Sequence, residues 1–250
     1  MDPLIWLYTM ILGSLSLLSS LFDRKGRVQH GFARLWSWLI LHTIFSPVRV
    51  SGMERVDPTR VHVFVANHLS ALDIPVLYVH LPFQFRILAK RELFRYPFMG
   101  WHLSRSGQIP VDIDDNDKSS ITKDTYKRVL KTLHAGIPLV IFPEGGRSPN
   151  GEVQRFMRGA FLFAARAKVD VVPMAIVGTY EILPMNSFHI QPGHIELLVG
   201  ETISTAGYDA RNVEALASRV QQAVEDLYYS RSQLADPRKV GKIQPQIHAD

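Results

Sequence analysis

The sequence predicts an α/β fold, a central and mostly parallel sheet flanked by helices, preceded by a membrane-associated two-helix segment. Three observations carry this. Short β-type apolar runs alternate with helical patterns from about Val48 onward, the signature of strands linked by crossover helices. Two of those runs are followed at once by clusters of chemically active residues, and ligands in such sheets sit at the carboxyl ends of strands. The first 47 residues have another texture, with two apolar stretches and few charges. The expected organisation is 1–47 as membrane-anchoring helices, 48–230 as the α/β domain and 231–250 as a surface tail.

Leu4 to Phe22 is a 19-residue run without charge, followed by Asp23-Arg24-Lys25-Gly26-Arg27. Spanning a bilayer takes roughly 20 apolar residues, so the run just qualifies, although Ser14, Ser16, Ser19 and Ser20 weaken it. A span and a hairpin lying in one leaflet both remain open. The basic residues follow the run, which puts them on the cytoplasmic side and argues against a signal peptide, whose charge comes first. Trp36 to Phe45 is too short to span, and Trp36, Trp38 and His42 suit an interfacial helix. The alternative is that both stretches are buried helices of an ordinary core.

Strands are expected at Val61–Val65, Phe85–Ala89, Gln108–Ile113, Pro138–Phe142, Val169–Val177 and Ile195–Val199. Helices are expected from Asp73 to Val79 and up to about His134 behind a Ser119 or Ser120 cap, and a helix or helical turn from Glu92 to Leu103 with Pro97 near its middle. Two more follow at Gly159–Ala167 and Asn212–Tyr229; the latter places Val213, Leu216, Val220, Val224 and Leu227 near helical spacing. The tail from Arg231 is broken by Pro237 and Pro245 and is expected to fray or lie on the surface.

With 250 residues, 46% of them hydrophobic, the chain can build a full core. A net charge of +5 favours acidic partners such as anionic lipid or phosphate esters. No cysteine is present, which excludes disulfides, a thiol nucleophile and Cys-ligated zinc.

The first active cluster is Asn67-His68-Leu69-Ser70-Ala71-Leu72-Asp73. A neutral imidazole can take the proton of an attacking hydroxyl, and a carboxylate on its other nitrogen fixes the tautomer. Five positions on one regular helix lie about 140° apart, so the pair works only if His68 sits in the loop and Asp73 in the first helical turn. With 10 His and 14 Asp in 250 residues, such a spacing arises about 0.6 times by chance. A structural His beside a helix cap is the other reading of this cluster, and Asn67 is expected to bond the turn.

The second cluster is Phe142-Pro143-Glu144-Gly145-Gly146-Arg147-Ser148. Arg147 offers a planar fork for a phosphate, and Glu144 can order that Arg or a substrate hydroxyl. Gly145 and Gly146 permit close backbone approach, and Arg155 and Arg158 add positive charge before a helix N-terminus at Gly159. A Gly-rich turn with a surface ion pair is the plain alternative. The segment is no nucleotide P-loop, and no Gly-x-Ser-x-Gly elbow of a hydrolase occurs.

Together these residues resemble the glycerophospholipid acyltransferases, most closely the 1-acylglycerol-3-phosphate acyltransferase (PlsC) type. The N-H-x4-D motif is matched by Asn67, His68 and Asp73, and F-P-E-G-T-R-S by Phe142 to Ser148 with Gly146 in place of Thr. Val171-Val172-Pro173-Met174 and Ala89 to Phe94 also resemble the family. A further motif, G-x-I-F-[IV]-x-R, fits at Gly107, Ile109 and Val111, but Pro110 replaces its aromatic and Ile113 its Arg.

The resemblance implies acyl transfer from acyl-CoA or acyl-carrier protein to the 2-hydroxyl of 1-acyl-glycerol 3-phosphate, giving phosphatidic acid. It implies His68 and Asp73 as the catalytic pair, and Glu144, Gly145 and Arg147 as substrate-binding residues. Lys90, Arg105 or Arg158 compensate for the missing Arg at 113. Neither metal, cofactor nor covalent acyl-enzyme is required. The implied partners are a phospholipid membrane, a lysophospholipid and the acyl donor, with no nucleic acid; the implied location is the inner membrane, with the site facing the cytoplasm. An acyltransferase for another lysolipid, such as lyso-ornithine lipid, and a lipid-binding scaffold with a degenerate site stay open as alternatives.

Overall fold

The computed structural model describes residues 3–23, 25–112, 122–187 and 189–240. Its helices are α1 (Pro3–Ser19), α2 (Arg27–Thr43), α3 (Asp73–His80), α4 (Met99–Arg105), α5 (Lys123–His134), α6 (Gly159–Ala167), α7 (Thr179–Ile182), α8 (Val213–Tyr229) and α9 (Pro237–Val240). Its strands are β1 (Val48–Ser51), β2 (Val63–Ala66), β3 (Arg86–Lys90), β4 (Ile109–Val111), β5 (Leu139–Ile141), β6 (Val171–Val177) and β7 (Ile195–Val199).

The seven strands form one sheet in the order β1-β7-β6-β2-β5-β3-β4. The run from β6 to β4 is parallel throughout. β7 lies antiparallel to β6 and β1 parallel to β7, so the sheet is mostly rather than wholly parallel. β2, β5 and β6 are buried along their whole length, as expected of strands covered on both faces. One face packs Phe64, Val140, Val172, Met174 and Ile176 against α3 and the N-terminal helices. The other packs Val63, Val65, Leu139 and Ile141 against α5, α6 and α8.

The N-terminal segment is a helical hairpin. α1 has 17 residues, about 25 Å of axis, and no helix among the described residues is long and apolar enough to cross a membrane. The run expected to continue to Phe22 ends at Ser19, where tight turns close it, and Asp23 caps the next helix. Its carboxylate accepts from the amides of Lys25 and Val28 at 3.0 and 2.6 Å, capping α2 in place of Gly26. Trp36, expected at headgroup depth, is partly buried and donates to Thr9 across the hairpin. Ile5, Tyr8, Ala33, Ile40, Leu41 and Ile44 join the core around α3. The outer side of α1 stays apolar and exposed through Leu4, Leu7, Ile11, Leu15 and Leu18.

Two further expectations change, one strand was not expected, and the tail lies on the surface as one of its two alternatives had it. The helix proposed over Glu92–Leu103 is split by Pro97 into a 3-10 turn at Arg91–Arg95 and α4, since proline cannot donate within a helix. The short strand β1 went unrecognised. The cap of α5 is Thr122, which accepts from the Thr125 amide; Ser119 and Ser120 fall outside the described residues, as do Asp114–Asp117 and Ile113. The tail is docked as far as it is described. Arg238 in α9 meets Asp236 and Asp226, both at 2.8 Å, and Glu225 at 3.3 Å.

Candidate active site

Three neighbouring parallel strands, β6, β2 and β5, end at one edge and supply the site. Ala66 is level with Met174, and Val65 with Ile141, so the segments after β2 and β5 leave the sheet side by side. Asn67 continues the ladder with its side chain: its amide donates to the Ile176 carbonyl and accepts from the Ile176 N–H, both at 2.8 Å. It fixes the exit of the loop.

His68 then sits in the loop and Asp73 at the first position of α3, the arrangement their spacing demands. Nδ1 of His68 lies 2.8 Å from Oδ2 of the fully buried Asp73. The same oxygen accepts from the amides of Leu69 and Ser70 at 2.8 and 2.9 Å. With Nδ1 committed to the carboxylate, Nε2 of His68 is the ring nitrogen left for a ligand, and the side chain keeps 19% of its surface open. The imidazole stacks on Phe142, with centroids 4.3 Å apart, so the second motif also sets the plane of the ring.

Glu144 does not pair with Arg147. It turns inward, almost fully buried, and accepts from the His68 amide at 2.6 Å and the Gln154 amide at 3.0 Å. The Ser148 amide donates to the His68 carbonyl at 2.9 Å. Both backbone groups of His68 are therefore held by the second loop. Burial pushes the Glu144 carboxyl up to about 8; the two amide donors oppose the rise and Asp73 adds to it. Gly145 adopts a left-handed φ of 75°, closing the turn whose amide returns to Phe142; a side chain there would be strained.

Arg147 is exposed and makes no hydrogen bond or ion pair among the described residues. Lys90 is exposed at the carboxyl end of β3, on the same edge as His68, and Arg158 is exposed just before α6. Arg105 falls elsewhere. It ends α4 ahead of β4, and its neighbours Ser106 and Gly107 pack against Gly26 and Arg86 at the amino end of β3, on the opposite edge of the sheet. Arg155 is turned toward Glu214 at 3.3 Å. Two surface hollows of about 420 and 310 Å³ take no lining from either motif loop. Among the described residues no group of three His, Asp or Glu is placed to hold a metal ion.

The sequence reading missed Thr179. It opens α7 directly after β6, is fully buried, and donates from Oγ1 to Oδ1 of Asp73 at 2.6 Å. Ser70 Oγ donates to the Leu183 carbonyl at 2.7 Å, a second tie between the loop and this segment. The only local signal was its place at the carboxyl end of a strand next to the one carrying His68.

A family model described as Acyltransferase matches residues 47–177. The chain is 32% identical over 208 residues to the 1-acyl-sn-glycerol-3-phosphate acyltransferase LPAT1, chloroplastic, of Arabidopsis thaliana, covering 82% of this chain and 57% of that protein. It is 29% identical to 1-acyl-sn-glycerol-3-phosphate acyltransferase alpha of Mus musculus, covering 72% of this chain and 63% of the relative. The chain thus spans little more than half the length of the curated relatives it matches. Its fold matches the crystal structure of the 1-acyl-sn-glycerophosphate acyltransferase PlsC from Thermotoga maritima. The TM-score is 0.69 at 24% identity, over 90% of this chain and 95% of that one.

Proposed function

This chain belongs to the acyltransferase family, and from that premise we propose that it transfers a fatty acyl chain from acyl-CoA or acyl-carrier protein to the 2-hydroxyl of 1-acyl-glycerol 3-phosphate, yielding phosphatidic acid. One observation carries the mechanism: Nδ1 of His68 is bonded to a buried carboxylate while the side chain keeps part of its surface open to solvent. That carboxylate fixes the proton on Nδ1 and leaves the Nε2 lone pair as the base. Nε2 takes the hydroxyl proton as the oxygen attacks the thioester carbon. The tetrahedral oxyanion collapses, the C–S bond breaks, and the imidazolium returns its proton to the departing thiolate. Backbone amides of the second loop are suited to the oxyanion; those of Gly146 and Arg147 have no acceptor among the described residues. The route needs no metal and no acyl-enzyme.

Arg147 is the clamp for the acceptor phosphate, its guanidinium unengaged and exposed beside the loop that holds His68. Lys90 and Arg158 add positive potential. The apolar outer face of α1 lies in one leaflet of the inner membrane with the cleft open to the cytoplasm, at the depth where a one-tailed acceptor resides. Gly146, in place of the motif's Thr, favours one competing acceptor class, another lysolipid head group. The decisive experiment presents the full chain in lipid vesicles with acyl-CoA and a panel of lysolipids, and identifies products by mass spectrometry. Phosphatidic acid from lysophosphatidate is expected, lost on His68→Ala by a factor of about 10³ or more. A preferred product from another head group replaces the acceptor; thiol release unchanged in His68→Ala refutes the mechanism.

A further inference from the structure

We propose that Thr179 is a positioning residue for the acyl transfer, holding Asp73 in the one orientation that keeps its Oδ2 on His68 Nδ1 and leaves Nε2 as the base. The inference rests on the function proposed above and concerns the same pair. Asp73 has no contact with solvent. Its Oδ2 takes three donors, His68 Nδ1 and the amides of Leu69 and Ser70. Its Oδ1 takes one, the Thr179 hydroxyl at 2.6 Å. Without that hydroxyl, Oδ1 would be a buried acceptor with no donor among the described residues and with no room for water to substitute, since Thr179 is itself fully enclosed.

The chain aims this hydroxyl with little freedom. Gly178 holds a φ of 94°, and a Cβ there would sit 2.2 Å from the His194 carbonyl oxygen, so only glycine makes the turn. β6, buried along its length, fixes the approach from the other side. The bond joins residues 106 positions apart and makes β6 the third strand contributing to the catalytic pair.

The consequence is a specific acid–base signature. A carboxylate stripped of a donor holds the shared proton more tightly, so the imidazolium becomes harder to discharge. Among the described residues Glu144 from the second loop and Tyr228 from α8 also feel the Asp73 charge. Neither is altered by a change at 179.

The test uses the full chain and compares Thr179→Val, which keeps the shape and removes the donor, with Thr179→Ser, which keeps the donor. In Thr179→Val, kcat at neutral pH falls about tenfold or more, and KM for the lysolipid changes little. The acid limb of the kcat profile and the His68 imidazole titration read by NMR both move upward by about half a unit or more. In Thr179→Ser both stay near the parent. Should Thr179→Val fail to fold, Thr179→Cys, a much weaker donor, takes its place. A Val or Cys variant with unshifted titration and unchanged kcat overturns the proposal, as does a Ser variant equally impaired. The NMR titration reads the pair without turnover. An inactive parent chain with the titration shift intact therefore condemns the acyltransferase reading alone.

Discussion

The loop after β2 and the loop after β5 meet at His68 but are built to different specifications. In the first, Asn67, Ser70 and Asp73 are all fully buried, and each side chain is committed to backbone or to the imidazole. In the second, Glu144 is locked inward onto two amides, while Gly146 has open space around it and Arg147 projects without a partner among the described residues. The difference matches two roles. A proton-transfer base works only in a narrow geometry, so its neighbours are fixed by long-range bonds. A head-group clamp meets a ligand arriving from a fluid surface, and an unengaged guanidinium can turn to it without first breaking an ion pair. Part of the second loop also serves the base, because Glu144, Phe142 and Ser148 support His68, and Gly146 and Arg147 are left to face outward.

The largest effect that separates the two roles is expected at Asp73. Asp73→Asn preserves size but not charge: Nδ1 and the Leu69 and Ser70 amides all meet the one oxygen Oδ2, so an NH2 turned there to donate to Nδ1 faces both amides, and an amide oxygen there no longer stabilises the imidazolium as an anion. In serine enzymes the equivalent change costs about 10⁴ in kcat with the geometry intact, and a loss of about 10³-fold or more is expected here at nearly unchanged KM. Steady-state kinetics on a variant with native circular dichroism checks it. A loss confined to KM would place Asp73 in binding and erase the distinction between the loops.

Glu144 tests whether the second loop is divided within itself. Glu144→Gln presents an NH2 to one of the two backbone donors, leaving a buried N–H unpaired at a cost of about 1–3 kcal/mol. The pH dependence has a definite sign. Burial raises the folded carboxyl from 4.5 to about 8, so the fold binds more protons than the unfolded chain between those values, and stability falls as pH rises. That contribution is full below the unfolded pKa and is gone once pH has passed about 8. Wild type should therefore lose Tm relative to Glu144→Gln between pH 5 and 8.5. A constant difference between the two melting curves across that range would mean Glu144 is ionised throughout, held by its amides.

Much of this was legible in the sequence because it is local. Strands β2, β5 and β6 are short apolar runs that can be covered on both faces, and the loops at their ends carry unmistakable residue types. His68 and Asp73 lie only five positions apart, so the requirement of a loop followed by a helical turn could be worked out from the helical period. The missed features depend on partners distant in sequence. Thr179 is an unremarkable hydroxyl until β6 is seen beside β2. The inward turn of Glu144 is decided by the His68 amide, not by the nearby Arg147. β1 has four residues with alternating burial and gains its place only by pairing with β7, while Arg105 was grouped with the cleft because sequence proximity cannot tell one edge of a sheet from the other. In the hairpin, composition gave the apolar character of α1 but not its end at Ser19, which is set by turn hydrogen bonds and the Asp23 cap.

Arg147 carries the smallest expected effect on the folded protein and the sharpest on specificity. It is exposed and bonded to nothing described, so Arg147→Ala should shift stability by no more than about 0.5 kcal/mol. If it clamps the acceptor phosphate, its loss removes a charge-assisted, bidentate contact and raises KM for lysophosphatidate by about 10- to 100-fold, with kcat for bound substrate little changed and KM for the acyl donor untouched. Arg147→Lys should recover only part of this, because an ammonium supplies charge without the fork. The contrast is read most clearly with a neutral lysolipid as acceptor: the variant then equals the parent if the guanidinium serves the phosphate. An equal penalty on charged and neutral acceptors would instead assign Arg147 to the donor or to the loop, and the division between a fixed base and a free clamp would fail at its second half.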